Sequence, residues 1–594
     1  MYTLSQFWIG FLWYFLMILQ GGIKMATNKK EIIRLLEEIA TYMELKGENS
    51  FKISAFRKAA QAIELDSRSL SEIDDFTKIS GIGKTTGEII QRYLDSGECP
   101  ELEALKKEVP AGLVPLLDVP GLGGKKLSRL YHELGVVDKD TLLQEAENGH
   151  IEALKGFGKK SAEKMAEAVR EMGERPDRYP LNDVLPIIQK VEAYLADIAP
   201  IETFAQAGSL RRLRETVKDL DYVIATEKPE EVQKALLAFP LITDVIGAGE
   251  TKVSAVLEDN ITISVDFRLV EKKAFATTLH HFTGSKDHNI KMRQLAKQSN
   301  EKISEYGVEQ EDGSVRHFES EKAFFEHFKI PFLPPEVRRD GTEIERVTKD
   351  TKFLELSDIR GDLHMHTTWS DGAYAIPEMI EACIAKGYEY MVITDHGKFL
   401  RVANGLDEKR LLEQQAEIKK IAANYPEIDV YSGVEMDILA DGSLDFDDET
   451  LKQLDFVIAS IHSSFQQSEE EIMKRLKTAC ENPYVRLIAH PTGRIVVKRK
   501  PYHVNMKELI QLAKNTGTAL ELNANPQRLD LNREHLEMAH AAGVPIAINT
   551  DAHDTKHLDF MSIGVRAATK AWLDKSAILN TKTAAEFKHF LQNK

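Results

Sequence analysis

Cysteine is scarce in this chain: three in 594 residues, at Cys99, Cys383 and Cys480. An odd, widely spaced set excludes a disulfide framework and points to a reducing, cytoplasmic setting. An excess of positive charge is missing too. Lys and Arg number 77 against 94 Asp and Glu, for a net charge of -17, which excludes a surface coated in basic residues. Local basic patches and metal sites still allow binding to a polyanion, because binding depends on their placement and not on the total. Long apolar runs are almost absent. The most pronounced, Phe7 to Leu19, falls short of the ~20 residues that a membrane-spanning helix requires. No Lys or Arg precedes it and no small-residue cleavage motif follows, so it is not built as a signal peptide. We read residues 1–24 as an upstream extension ahead of a natural start at Met25, with no membrane partner; a short membrane anchor is the alternative.

What is present suffices for several cores. A chain of 594 residues with ordinary globular composition implies three or more folding units. The first stretch is helical: Glu31 to Tyr42 and Phe51 to Ile63 repeat apolar residues at three- and four-residue spacing. Three glycine turns follow, Gly81-Ile82-Gly83-Lys84, Gly121-Leu122-Gly123-Gly124-Lys125 and Gly156-Phe157-Gly158-Lys159. Each bares backbone N–H groups at a helix N-terminus, with lysine beside it, where a phosphate can sit without any base being read. These helix-hairpin-helix patterns predict DNA-backbone contacts at Gly81, Gly83, Lys84, Gly121, Gly123, Lys125, Gly156, Gly158 and Lys159. We divide the region into 25–110 and 111–177.

A different signal begins at Gly208-Ser209-Leu210-Arg211-Arg212 and continues through Asp219-Leu220-Asp221-Tyr222. Asp219 and Asp221 lie two apart in an apolar strand and so leave the same face. A second strand, 261–268, alternates likewise and offers Asp266. Like charges crowded on one sheet are costly unless cations neutralise them. Two magnesium ions bridged by these carboxylates would do so, and would also activate a 3′-hydroxyl and stabilise a pyrophosphate leaving group. Gly208 and Ser209 with Arg212 would then hold a triphosphate.

The last two-fifths scatter metal-ligand residues, most of them just after a short apolar run: His364, His366 and Asp371, then His396, Glu435, His462, His490, and finally Asp551 and His553. Imidazoles mixed with carboxylates suit zinc, manganese or iron better than calcium. The set is too large for one ion and fits a cluster of about three sharing bridging carboxylates, which activates water at neutral pH and clamps phosphate oxygens. We expect His364, His366 and Asp551 to share one ion, with Asp371, His396 and Glu435 near. Glu435 is the expected bridge, and His462 and His490 close the third position. Apolar runs alternate with helical stretches from Ile359 to Asp551, which predicts a parallel barrel with its ligands at the C-terminal strand ends. Arg494, Lys498 and Lys500 read either as receivers of substrate phosphates or as a solvated basic loop, and Asp445 and Asp447 as loop solvation alone. Proline and charge around 331–354 read as an ordered, extended connector and not a third domain, bounded at 336–357.

Together, Gly208-Ser209-x-Arg211-Arg212, Asp219-x-Asp221, Asp266 and Phe282-Thr283-Gly284-Ser285 resemble a family X DNA polymerase, the nucleotidyltransferase group that contains polymerase beta. The resemblance runs over about residues 28–335. It implies a palm with a mixed sheet at 178–275 and a subdomain for nucleotide and nascent pair at 276–335. It implies Asp219, Asp221 and Asp266 as catalytic magnesium ligands, and Ser209, Arg212 and Arg178 as contacts to the incoming triphosphate. Phe282 and Gly284 would pack on the nucleotide sugar, with Asn289 and Arg293 on the minor-groove side of the nascent pair. Residues 358–594 resemble the polymerase-and-histidinol-phosphatase (PHP) domain, implying a distorted (β/α)7 barrel holding manganese or zinc. In this order the two resemble bacterial polymerase X, whose PHP domain supplies 3′–5′ exonuclease activity and sometimes cleavage at abasic sites. The expected fold is multidomain, α+β and α/β.

Departures from the pattern are informative. Lys218 stands where polymerase beta has glycine before the first catalytic aspartate, His281 replaces the usual tyrosine before Phe282, and Ser264 stands where an arginine often flanks the third aspartate. Aligning the first hairpin with the family's lyase hairpin puts Ile89 at the Schiff-base lysine. Isoleucine forms no imine, so no deoxyribose-phosphate lyase chemistry is expected there, while Lys52 and Lys58 remain to bind a 5′-phosphate. The reading is a repair polymerase of base-excision type that uses dNTPs to fill short gaps in duplex DNA, with a metal-dependent nuclease in the same chain and no obligate protein partner. Two other classes stand beside it. One is a DNA-binding nuclease with a weak or inactive polymerase half, motivated by Lys218 and Ser264; the other is a small-molecule phosphoesterase.

Overall fold

The computed structural model describes residues 29–592 apart from 67–69, 71–72, 118, 120–121 and 172–177. The apolar leader and Gly121 lie outside the described residues. The chain divides into two compact units, Met1–Pro176 and Asp177–Lys594.

The first unit is helical. α1 (Lys29–Lys46) and α2 (Ser50–Leu65) place Ile32, Leu36, Ala59 and Ile63 in one core, and Leu35 and Ile39 of α1 in a second. Asn49 accepts the Phe51 N–H and so starts α2. α3 (Lys84–Ser96), α4 (Gly124–Leu134) and α5 (Lys159–Glu171) each begin at a glycine turn. Each then buries an apolar stripe: Ile89 and Ile90, Leu127 and Leu130, Met165 and Val169. Such aliphatic side chains contribute about 1.5–3 kcal/mol each on burial.

The second unit opens with a five-stranded mixed sheet: β1 (Thr203–Gln206), β2 (Asp219–Ala225), β3 (Ile242–Gly249), β4 (Lys252–Glu258) and β5 (Thr262–Val270), in the order β1-β2-β5-β4-β3. Only β2 and β5 pair in parallel, and their register sets Asp221 opposite Asp266. Leu220, Tyr222 and Ile224 of β2 and Val265 and Phe267 of β5 point into a core shared with the helix Leu181–Ala196. Strand alternation therefore drives all three aspartates to the other face.

Next comes a subdomain built on the helices Phe275–Thr283, Lys286–Gln298 and Glu321–His327, with Met292, Phe324, Phe325 and Leu333 at its centre. The stretch expected to be an extended connector is instead packed against this core, burying Val337, Arg338, Glu343 and Val347. Arg338 donates to Glu321 at 2.6 Å, and Glu321 also accepts from Arg211 at 2.6 Å. Burial works to raise the Glu321 carboxyl, but the guanidiniums of Arg338 and Arg211 outweigh it and hold the group down at about 2. Proline and charge imitate a linker along the sequence, whereas folding supplies the partner carboxylate from a helix.

The remainder is a parallel sheet in sequence order: β6 (Gly361–Asp362), β7 (Tyr390–Ile393), β8 (Asp429–Asp437), β9 (Phe456–Ser460), β10 (Val485–Ile488), β11 (Ala519–Asn523) and β12 (Ile546–Asn549). Its ends meet just beyond β6 and β12, where Met365 and Ala552 bridge in parallel and the His366 N–H donates to the Ala552 carbonyl at 2.8 Å. The result is a nearly closed seven-stranded barrel. Tyr390, Val392, Phe456, Ile458 and Leu487 fill it, with Phe587 of the C-terminal helix stacked on Tyr390 at 4.4 Å. Met391 and Ile393, the alternate residues, join the larger apolar core. Among the described residues no helix is long and apolar enough to cross a membrane.

Candidate functional site

Two separate clusters of ionisable side chains stand out in the second unit. The first lies where the barrel strands end. His364 and His366 follow β6, His396 follows β7, Glu435 lies on β8, His462 follows β9, His490 follows β10, and Asp551 and His553 follow β12. The structure brings all nine sequence-singled residues together. Asp371, His366, His396 and His553 form one group; His364, His366 and Asp551 a second; His396, Glu435 and His462 a third, with ligating atoms in each group within 4.8 Å of one another. Glu435 sits among five imidazoles: His396 Nδ1 at 2.9 Å, His364 Nε2 at 3.3 Å, His462 Nε2 at 3.3 Å, His490 Nε2 at 2.8 Å and, further off, His366 Nε2 at 3.7 Å.

The donor set fits metal ions on its own chemistry. His364 Nε2, both ring nitrogens of His366, His396 Nδ1 and Glu435 Oε2 are buried without a hydrogen-bond partner. Leaving such atoms bare costs about 1–3 kcal/mol each, and divalent cations are what these lone pairs would accept. The field of the site shows in its protons as well. Burial opposes charge on His462 and His553, yet the carboxylates beside them (Glu435 and Asp437; Asp371 and Asp551) more than offset it, pushing the imidazoles up to about 10 and about 9.

Behind these nine residues lies a layer that sequence reasoning missed. Glu521, fully buried on β11, accepts from His364 Nδ1 at 2.8 Å, from Asn549 at 3.0 Å and from the His490 N–H at 2.7 Å. This fixes the His364 tautomer that turns Nε2 toward Glu435. Asp437 stands 3.3 Å from His462 Nδ1 in the same role. The available signal was a carboxylate inside an apolar run that also ends a strand. Glu521→Gln is expected to weaken metal binding about 10–100-fold with the fold retained; a metal titration beside a thermal melt checks this, and unchanged affinity would remove Glu521 from that role.

Three expectations about this domain need correction. Arg494 neither faces a substrate nor lies solvated: it grips Glu215 of the palm at 2.8 and 3.2 Å and donates to the Leu529 carbonyl. Asp445 is buried and accepts from the Phe399 N–H at 3.1 Å. Asp447 caps the short helix Asp448–Leu451 through the Thr450 N–H. Lys498 and Lys500 are exposed, in keeping with either reading given to them.

The second cluster is on the palm sheet. Asp219 is exposed and Asp221 half-buried, and burial together with the charges of Asp219 and Asp266 pushes the Asp221 carboxyl up to about 7. Two residues of β4 complete the site and were not foreseen: Ser254 donates to Asp266 at 2.7 Å, and Lys252 Nζ stands 2.6 Å from its other oxygen. Gly208 has φ +57°, and a Cβ there would overlap the Asp221 carboxylate, so only glycine fits. The adjoining Ser209 hydroxyl is buried without a partner. Arg212 donates to the Thr283 carbonyl beside Gly284, and Arg211 to the Thr283 hydroxyl at 2.6 Å. Phe282 lies under the Arg268 guanidinium, 4.5 Å away. Asn289 donates to the His281 carbonyl at 2.7 Å and keeps a bare buried Oδ1, while Arg293 lies 3.4 Å from the His281 ring. Arg178 is tied to Thr216 at 2.9 and 2.6 Å, and no described contact brings it to the carboxylates.

In the first unit, α3 and α4 start at Gly83 and Gly123 with no side-chain cap, and the space over Gly83, Gly123 and Gly158 is open. Gly81 and Gly156 take positive φ in the turns before them. Lys84, Lys125 and Lys159 are exposed beside these ends, as are Lys52, which pairs with Glu48 at 3.3 Å, and Lys58. Ile89 is buried, which removes it from any exposed chemistry.

Comparison with known proteins bears on these sites together. Family models match for a helix-hairpin-helix domain (27–99), a SAM-like helix-hairpin-helix tandem (113–171), the DNA polymerase beta thumb (278–339) and the PHP domain (362–525). The DNA polymerase/3′-5′ exonuclease PolX of Bacillus subtilis (strain 168) is 55% identical over 566 residues, covering 95% of this chain and 99% of that protein. A probable phosphatase of Thermoanaerobacter sp. (strain X514) is 28% identical over 245 residues, 39% of this chain and 94% of its own length. One of Caldanaerobacter subterraneus subsp. tengcongensis is 29% identical over 245 residues, covering 91% of it.

Proposed function

Because the chain belongs to the PolX family of DNA polymerase/3′-5′ exonucleases, we propose that it fills short gaps in duplex DNA at the palm and trims 3′ ends at the barrel, as a repair enzyme of base-excision type. The observation carrying this is the pairing of two separate cation sites in one chain. One consists of carboxylates on a sheet beside the Gly208-Ser209 turn, the other of nine imidazoles and carboxylates that include Glu435 at their centre. The helix-hairpin-helix and thumb matches support DNA as the partner.

At the palm, Asp219, Asp221 and Asp266 would hold magnesium, which when bound neutralises the carboxylates and the triphosphate. Ser209 donates its bare hydroxyl to a phosphate oxygen, and Arg212 adds a positive charge beside Gly284. Lys252, which pairs with Asp266 at 2.6 Å, would have to give up that carboxylate for it to hold magnesium. Phe282 and Gly284 face the nucleotide sugar, and Asn289 and Arg293 face the nascent pair; Arg178 reaches the triphosphate only by leaving Thr216. At the barrel, manganese or zinc held by the nine residues would supply water activation and phosphate clamping. Arg528, with Nε 3.4 Å from Asp551 and a buried amino group without a partner, meets the phosphate of the departing nucleotide. The hairpin glycines and their lysines hold the DNA backbone. Three free, buried cysteines support a reducing, cytoplasmic setting.

An end-labelled gapped duplex incubated with manganese tests the reading. The primer is expected to shorten without nucleotides, to lengthen with dNTPs, and to do neither with a chelator. Release of phosphate from small monoesters with no change to the DNA would overturn it in favour of the phosphatase reading.

A further inference from the structure

Three cations of the barrel domain reach one short stretch of the palm. Arg566, on α6 (Met561–Lys570), donates to the Arg211 carbonyl at 2.8 Å and to Glu336 at 2.6 Å. One turn further along α6, Lys570 donates to the Leu213 carbonyl at 2.6 Å. Arg494 holds both oxygens of Glu215. Ile563 of α6 and Leu529 enter the palm's apolar core alongside Leu210 and Leu213.

The gripped segment, 211–215, continues directly from the Gly208-Ser209 turn and contains Arg212. Its backbone is not relaxed. Leu213 takes φ +49°, in the left-handed region, and is buried. A leucine is held in such a conformation only where its surroundings over-determine it. Here the group that grips its carbonyl comes from the other domain. Lys570 is itself half-buried, and burial pushes its amine down to about 8, so its hydrogen bond is partly shielded from competing water.

We propose that Arg566 and Lys570 are positioning residues for the polymerase: the barrel domain's α6 sets the segment that closes the triphosphate turn, so the nucleotide meets a loop already in place. A loop ordered in advance spares the nucleotide the entropy of ordering it on binding. The inference rests on the reading of Gly208, Ser209 and Arg212 as triphosphate contacts. Neither Arg566 nor Lys570 belongs to the nine-ligand cluster, so the two activities separate.

Full-length Arg566→Ala, Lys570→Met and the double variant, set against Arg566→Lys and Lys570→Arg, test it on a gapped duplex with dNTP varied. The double variant is expected to raise the dNTP KM about tenfold with kcat within about threefold, the effect of losing hydrogen bonds from charged donors. Exonuclease on the same DNA without nucleotides stays within about twofold, and Lys570→Arg recovers most of the KM. An unchanged KM in a folded double variant overturns the proposal, as does a parallel fall in both activities, which would make α6 a purely structural strut. Ser209→Ala and Arg212→Ala keep the two failures apart. If they leave the dNTP KM unchanged, the triphosphate reading itself fails; if they raise it while the α6 variants do not, only the present inference fails.

Discussion

Asp221→Asn is expected to extend a primer across a gap at least ~10^3-fold more slowly than the parent, in kcat/KM, while trimming 3′ ends at the parental rate. Of the three palm carboxylates, Asp221 stands between the others: it pairs in register with Asp266 and shares a strand face with Asp219. Asparagine keeps the size and removes the charge. Charge stabilisation through a bound divalent ion contributes several kcal/mol, and each ~1.4 kcal/mol is a decade in rate, which gives the expected loss. Extension by the variant at the parental rate would reject the assignment and revive the reading of the palm as a DNA-binding scaffold.

The same substitution carries a stability test with a definite sign. Burial and two neighbouring carboxylates raise the Asp221 pKa from 3.8 to about 7. Between those values the unfolded chain releases a proton that the folded chain retains, so the group costs stability increasingly as pH rises from 3.8 to about 7, and by a constant amount above. In a chelator, Asp221→Asn should therefore melt higher than the parent at pH 8, with the gap closing as pH falls towards 4. A divalent ion should raise the parent's melting temperature more than the variant's, and less at pH 6 than at pH 8, because a proton competes for Asp221.

The parts of this molecule that were legible in one dimension share a physical cause. The nine barrel residues could be picked out because a buried strand is apolar along its length and only its end meets the site, so most of them followed an apolar run. The aspartates could be read because strand alternation fixes their common face whatever lies around them. What escaped depends on contacts between distant segments. Arg494 sits close to His490 and two lysines and reads as a basic loop, yet its partner, Glu215, is 279 residues away. Arg338 reads as part of a linker until Glu321 is folded against it. Glu521 and Asp437 carry only one mark in the sequence, a carboxylate within an apolar run, and that mark does not say which ring they would orient until the strands lie side by side. Lys252 and Ser254 of β4 become visible only once β4 lies beside β5 and puts them next to Asp266.

Glu435→Gln should abolish 3′-end trimming, by at least ~10^3-fold, on the same several-kcal/mol argument for bound divalent ions, and should lower the protein's bound metal while primer extension at the palm persists. The amide is isosteric, so packing around β8 is kept, but it carries no negative charge and has one acceptor oxygen where Glu435 has two. Glu435 is surrounded by five imidazoles at 2.8 to 3.7 Å. With the anion gone, His462 loses the larger of the two attractions holding its proton up near pH 10. His364 loses one of three carboxylates around it but keeps Glu521 and Asp551. Two of the ligand groups would thus be altered unequally: the one containing His396, Glu435 and His462 dismantled, the one containing His364, His366 and Asp551 left largely intact. Metal analysis of the purified variant should show partial and not complete loss: loss of a single ion would make Glu435 a ligand to that ion alone, and loss of more than one would make it a bridge. Full metal content with full trimming activity would place the bridge elsewhere. Loss of primer extension together with trimming would mean that the ions also brace the palm through the His490 loop, from which Arg494 reaches Glu215.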